Sequence, residues 1–127
     1  MPGLWPFADL LGMRARSAGD GRARWELAVD DRHLNPHGVL HGGVIYTVAD
    51  TAMGAALVSR LEPGETCTTL EIKMQYLVPV TGGAIAAEAA VVQRSRRIGV
   101  LEARVLDGGD RLVALATGTF YIQAPRS

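Results

Sequence analysis

Val44-Ile45-Tyr46-Thr47-Val48-Ala49-Asp50-Thr51-Ala52-Met53-Gly54-Ala55-Ala56-Leu57-Val58 carries a charge at one position only, Asp50. The stretch reads as a helix over residues 41–59, apolar on nearly every side, and such a helix belongs in an interior. Ala49, Ala52, Gly54, Ala55 and Ala56 are small enough to let another surface approach closely, at some loss of helix propensity at Gly54. Glu62-Pro63-Gly64-Glu65 ends the helix. A carboxylate placed there must give up its charge, find a partner or line a polar cavity, because desolvating an unpaired ion is costly.

Immediately upstream, Asn35-Pro36-His37-Gly38-Val39-Leu40-His41-Gly42-Gly43 is dense in polar side chains and in glycines that bare the backbone. Loop and helix together read as two halves of a reaction site. Farther out, residues 7–13 fit a short leading helix with Gly12 near its end. Ala23, Trp25, Leu27 and Val29 then alternate with Arg22, Arg24 and Glu26, a strand closed by Asp30-Asp31-Arg32. After the long helix, Leu70, Ile72, Met74 and Tyr76 alternate with Thr69, Glu71, Lys73 and Gln75 until Pro79 stops the run. Further strands are expected over residues 84–93, 98–106 and 111–122, the last two joined by the hairpin signal Asp107-Gly108-Gly109-Asp110. One central helix with long antiparallel strands is an α+β architecture, in which the sheet must wrap the helix to hide it.

With 127 residues the chain has the length of one domain, spanning 1–127. Its 13 basic and 13 acidic side chains form no long block of one sign, which argues against a nucleic-acid or membrane-surface footprint. Any local basic patch is left to serve a small anion. The single Cys67 excludes an intrachain disulfide and a cysteine-based zinc site and fits a reducing cytosol. Met1-Pro2-Gly3-Leu4-Trp5-Pro6 has no basic segment before its apolar residues, and Asp9 interrupts them, so no secretory signal is expected. The apolar helix is too short, and too acidic at Asp50, for a membrane span. The expectation is a cytoplasmic protein. His33, His37 and His41 recur every four residues, yet Pro36 and Gly38 break the helix that a spaced-histidine metal site requires, so no metal is expected.

The loop and helix, from Asn35 through His41-Gly42-Gly43 to Asp50-Thr51-Ala52, closely resemble the hot-dog-fold acyl-CoA thioesterases of the phenylacetic-acid-degradation (PaaI-like) group. The likeness continues through Thr68-Thr69-Leu70-Glu71-Ile72, Tyr76-Leu77-Val78-Pro79 and Arg94-Ser95-Arg96-Arg97 to Ala116-Thr117-Gly118-Thr119-Phe120. A bare His-Gly-Gly is a weak signal; an Asn six residues before His41 and an Asp nine after it make it specific. The resemblance implies a helix wrapped by a curved antiparallel sheet, sheets paired in a dimer, and commonly a tetramer. It also implies an acyl-CoA substrate, hydrolysed to free acid and coenzyme A without metal or redox cofactor. Independently, Gly42 and Asp50 stand eight positions apart, about 12 Å along a straight helix. Reacting contacts must lie within roughly 3 to 3.5 Å, so a thioester cannot touch both groups in one protomer. A homo-oligomer, at least a dimer, is therefore expected.

Within that frame Asp50 is the general base or the nucleophile, against the alternative of a locally bonded helix carboxyl. Gly42 at the helix start offers a backbone N–H as oxyanion donor, or else serves only a tight loop-to-helix entry. Asn35 corresponds to the family's polar residue that orients water or the carbonyl; taken alone it is a turn residue. His41 supports the loop or the thioester region. Thr69, with Thr68 as alternative, occupies the strand position where relatives place a hydroxyl near the acid. Arg94, Arg96 and Arg97 crowd one turn and can receive phosphates, with Arg97 the best match to the family pattern. Met53, Leu57 and Tyr46 are acyl-pocket candidates that serve equally well as core. A hot-dog hydratase or dehydratase, hinted at by Asn35-Pro36-His37, and a non-catalytic acyl-CoA sensor are the competing readings.

Overall fold

Why the central helix forms where it does is visible at its first turn. In the computed structural model, which describes residues 5–126, α2 spans Gly42–Val58, and His41 caps it by accepting the Gly43 N–H on Nδ1 at 2.8 Å. Met1 to Leu4, part of the stretch read for a leader, lie outside the described residues, as does Ser127. Among the described residues no helix is long and apolar enough to cross a membrane.

Six antiparallel strands lie in the order β1-β2-β4-β5-β6-β3. They are β1 (Met13–Gly19), β2 (Arg22–Ala28), β3 (Thr66–Tyr76), β4 (Ala84–Arg94), β5 (Ile98–Asp107) and β6 (Leu112–Gln123). The leading helix α1 covers Pro6–Leu11 and stops at Gly12, whose φ of 81° needs a residue without Cβ. Met13, expected inside that helix, instead opens β1, a strand absent from the sequence reading. β1 is an edge strand with only its first residue buried, so it carries no alternation to read. Its one local signal is the turn Asp20-Gly21, where φ is positive at both residues (53° and 76°), as a two-residue hairpin turn requires.

The sheet packs on one side of α2. Ile45, Val48, Ala49, Ala52, Met53, Ala56 and Leu57 are buried against it. Two glycines set the approach: a Cβ at Gly99 would stand 2.9 Å from Leu57 Cδ1, and one at Gly118 would stand 3.1 Å from Met53 Sδ. The opposite side of α2 is not hidden. Gly43, Tyr46 and Val58 are exposed, and Thr47, Asp50, Thr51, Gly54 and Ala55 only half-buried. The curved sheet wraps α2 as expected, but over one face only, so the other face stays open.

β3 carries a further correction. Its register against β6 shifts between Thr69 and Glu71. The bulge places Leu70 outward at 58% exposure and turns Thr69 inward with Cys67, Ile72 and Met74. Simple alternation puts Thr69 on the outer face, and the bulge reverses it.

Candidate active site

Asp50 lies on the open side of α2, and its carboxyl finds a partner on the sheet. The Thr69 hydroxyl donates to Asp50 Oδ1 at 2.7 Å, a contact the β3 bulge makes possible. Thr68 is exposed, so of the two threonines it is Thr69 that reaches the acid. Around the pair opens a pocket of about 300 Å³ walled by Trp5, Val58, Cys67 and Phe120, with Gly54 and Ala55 on the helix side. Burial pushes the Cys67 thiol up, and the neighbouring Asp50 adds to the shift. Met53 and Leu57, read as pocket candidates, are fully buried beneath Gly118 and Gly99 and are not among the residues lining the pocket at Asp50. Trp5, Cys67 and Phe120 were missed as pocket walls. For Phe120 the signal was its inward parity on the last strand; Trp5 has none in the sequence, since only the fold brings it beside Trp25, ring centroids 5.5 Å apart.

Gly42 and His41 form a second cluster. The Gly42 N–H donates to no described group, leaving one of the free amides of the helix start. The Tyr76 hydroxyl donates to the Gly42 carbonyl at 2.8 Å, and a Cβ on Gly42 would stand 3.1 Å from Tyr76 Cζ. Glycine suits the position because any side chain would crowd the phenol ring laid against it. Burial raises the Tyr76 phenol above its ordinary value, with Tyr46 adding to it, which keeps the hydroxyl a donor. A cavity of about 290 Å³ runs past Leu40, Gly42, Ile45 and Tyr76. It shares no lining residue with the pocket at Asp50.

The loop that delivers Gly42 is held from both ends. Asn35 Oδ1 accepts the His37 N–H at 2.8 Å and the Val39 N–H at 3.4 Å, a turn role, while its side-chain amide has no described partner. The Leu40 N–H donates to the Val80 carbonyl at 2.7 Å and the His41 N–H to the His33 carbonyl at 2.8 Å. His33, 2% exposed, accepts the Asp30 N–H on Nδ1 at 3.0 Å, and its Nε2 lies 2.8 Å from the Leu11 carbonyl oxygen. Its Nδ1 closes the turn at Asp30, and its Nε2 joins that turn to the end of α1.

The three arginines share the turn between β4 and β5 but not one environment. Arg94 is fully occupied within the chain: Nη2 donates to Glu65 Oε2 at 2.9 Å, Nη1 to the Arg60 carbonyl at 2.8 Å, and Nε to the Ser95 carbonyl at 3.2 Å. Glu65 is held below the ordinary carboxylate range, first by Arg94 and then by the Glu62 N–H. Arg97 stands 3.7 Å from Glu65 Oε2 and donates to the Arg96 carbonyl at 3.0 Å. The exposed Arg96 guanidinium has no described partner. The turn is near the acid's pocket: the Ile122 N–H donates to the Arg97 carbonyl at 2.7 Å, and Ile122 pairs with Cys67.

A model of the thioesterase superfamily matches residues 37–114. The 1,4-dihydroxy-2-naphthoyl-CoA hydrolase of Listeria monocytogenes is 26% identical over 118 residues, which cover 93% of this chain and 96% of that protein. Among solved structures, a mutant of the phenylacetic acid degradation protein PaaI from Thermus thermophilus superposes with a TM-score of 0.84 at 33% identity, covering 91% of this chain and 97% of that one. A thioesterase from Haemophilus influenzae superposes with a TM-score of 0.89 at 28% identity, covering 94% and 84%. The helix and six-stranded antiparallel sheet match these hot-dog-fold neighbours.

Proposed function

Since the chain belongs to the thioesterase superfamily and is a thioester hydrolase, we propose that it cleaves acyl-CoA thioesters to a carboxylic acid and coenzyme A at sites shared between protomers. The observation that carries this reading is the Asp50–Thr69 pair, 2.7 Å apart on the helix face that a single chain leaves open. Thr69 occupies one carboxylate oxygen and leaves the other free to face a reactant.

Asp50 takes a proton from water, whose oxygen adds to the thioester carbonyl, or adds to that carbonyl itself to give a mixed anhydride that water then opens. Either route develops negative charge on the carbonyl oxygen. The Gly42 N–H of the neighbouring protomer receives that charge at a helix start, where free amides and the dipole favour it. The C–S bond then breaks, and the sulfur leaves as thiolate to be protonated. His41 fixes the helix start, and the Asn35 amide would orient the water or the carbonyl.

Sharing follows from distance. Gly42 and Asp50 belong to one continuous helix, about 12 Å of rise apart, and to separate cavities. A neighbour whose α2 lies against the open face would bring its own Gly42 to this Asp50. β3, at one edge of the sheet, supplies the strand along which two such sheets would pair. A dimer is the minimum unit, and a tetramer is the larger assembly the resemblance implies.

Arg96 and Arg97 are the phosphate contacts, and Arg94 is reassigned as the brace that holds their turn. The acyl group enters the pocket beside Trp5, Val58 and Phe120. The test is Asp50→Asn, assayed by thiol release from a panel of acyl-CoA esters. Turnover should fall by about 10²- to 10⁴-fold with the melting temperature unchanged; near-normal hydrolysis would refute the assignment.

A further inference from the structure

Tyr76 heads a series of hydrogen bonds that ends on the ring of His41. Its hydroxyl donates to the Gly42 carbonyl at 2.8 Å. That carbonyl belongs to the same peptide group as the Gly43 N–H, which donates to His41 Nδ1 at 2.8 Å. Bonds linked through one peptide polarise one another, so the phenol strengthens the bond made by Gly43. A ring nitrogen that accepts an N–H must hold a lone pair, and the neutral imidazole then carries its hydrogen on Nε2. The contact is also long-range, joining residues 34 apart in sequence, so it ties the start of α2 to the end of an edge strand.

We propose that Tyr76 is a positioning residue for the oxyanion side of the site: through the Gly42–Gly43 peptide its hydroxyl holds His41 in the Nε2–H form and sets the direction of the free Gly42 N–H. The catalytic consequence rests on the reading of Gly42 as oxyanion donor; the tautomer of His41 does not. An amide aimed by a fixed support needs no reorganisation as charge grows on the thioester oxygen. A first helical turn held by local bonds alone frays, and its amides lose their aim.

Tyr76→Phe separates the hydroxyl from the ring, because the ring still covers Gly42. We expect kcat to fall about three- to tenfold with KM within about twofold, since the support matters most when charge develops. In parallel, nitrogen NMR of the His41 ring, assigned by its loss in His41→Gln, should show one tautomer in the wild type and a mixture in Tyr76→Phe. A variant with wild-type kcat overturns the proposal, and so does one whose His41 ring stays wholly in the Nε2–H form. Failure of the wider reading looks different: active Asp50→Asn would remove the hydrolytic role of the site while leaving the ring-nitrogen result standing on its own.

Discussion

Along α2, the residues turned toward the sheet (Ile45, Val48, Ala49, Ala52, Met53, Ala56, Leu57) are buried, whereas Tyr46, Thr47, Asp50, Thr51, Gly54, Ala55 and Val58 on the other side stay partly or wholly open. Apolar side chains occur on both faces, so hydropathy alone does not say which one the sheet will take. Fit does. The inner face carries the bulky Met53 and Leu57 that seat under Gly118 and Gly99, while the outer face sets Gly54 and Ala55 in one pocket with the Asp50 carboxylate. An apolar face that its own sheet leaves open is available to another surface, and an acid placed there sits at a boundary rather than in a core.

The largest expected effect on this contrast is the loss of turnover in Asp50→Asn at unchanged stability. Its mirror image is Leu57→Ala, on the inner face. That change should destabilise the fold by about 2–5 kcal/mol in denaturant titrations while leaving activity per folded molecule intact; a variant that stayed stable but lost turnover would erase the distinction between the faces. Thr69→Val removes the hydroxyl that holds Asp50 and should lower kcat by about tenfold, with Thr69→Ser restoring most of it. If Val and Ser variants behaved alike, the hydrogen bond would be irrelevant to turnover. Arg96→Glu should raise KM for acyl-CoA several-fold at nearly constant kcat, and an unchanged KM would remove Arg96 from the phosphate site.

The smallest effect concerns pH. Glu65 has its carboxyl lowered by Arg94, so the folded state favours the charged form. The stability this gives is present above the ordinary glutamate value and is lost as the pH falls through the lowered folded value. The melting temperature of Arg94→Ala should therefore trail the wild type at neutral pH, and the gap should narrow as the pH falls below the ordinary glutamate value. Parallel melting curves across that range would show that the pair contributes nothing acid-sensitive.

The long helix was legible because fifteen residues with one charge, preceded by a glycine-rich loop, leave little else to form, and α2 begins and ends within a residue of that expectation. β2 and β3 followed from alternation, and the last two strands were marked by the Asp107–Asp110 turn. What escaped the sequence was set by partners distant along the chain. β1 lies at an edge with almost no buried face, so only the Asp20-Gly21 turn announced it. Thr69 was given the wrong face because a bulge, invisible to a period of two, reverses the alternation. Tyr76 read as an ordinary strand residue until the fold laid its ring on Gly42. Arg94 looked like a free cation because Glu65 is 29 residues away.

The central claim, that one protomer's acid acts with its neighbour's amide, is tested by mixing two inactive chains. Asp50→Asn removes the acid; Gly42→Pro removes the amide hydrogen at a first helical position that tolerates proline, with His41 already at the extended ψ of 133° that a following proline favours. The Tyr76 ring has to yield slightly to the new Cβ, so the folding of this variant is checked first by circular dichroism. In a mixed dimer one site receives the intact Asp50 of one chain and the intact Gly42 of the other. Co-assembled chains should thus recover about a quarter of wild-type activity. Mixed oligomers, verified by native mass spectrometry, that remain as inactive as their parents would contradict the shared site.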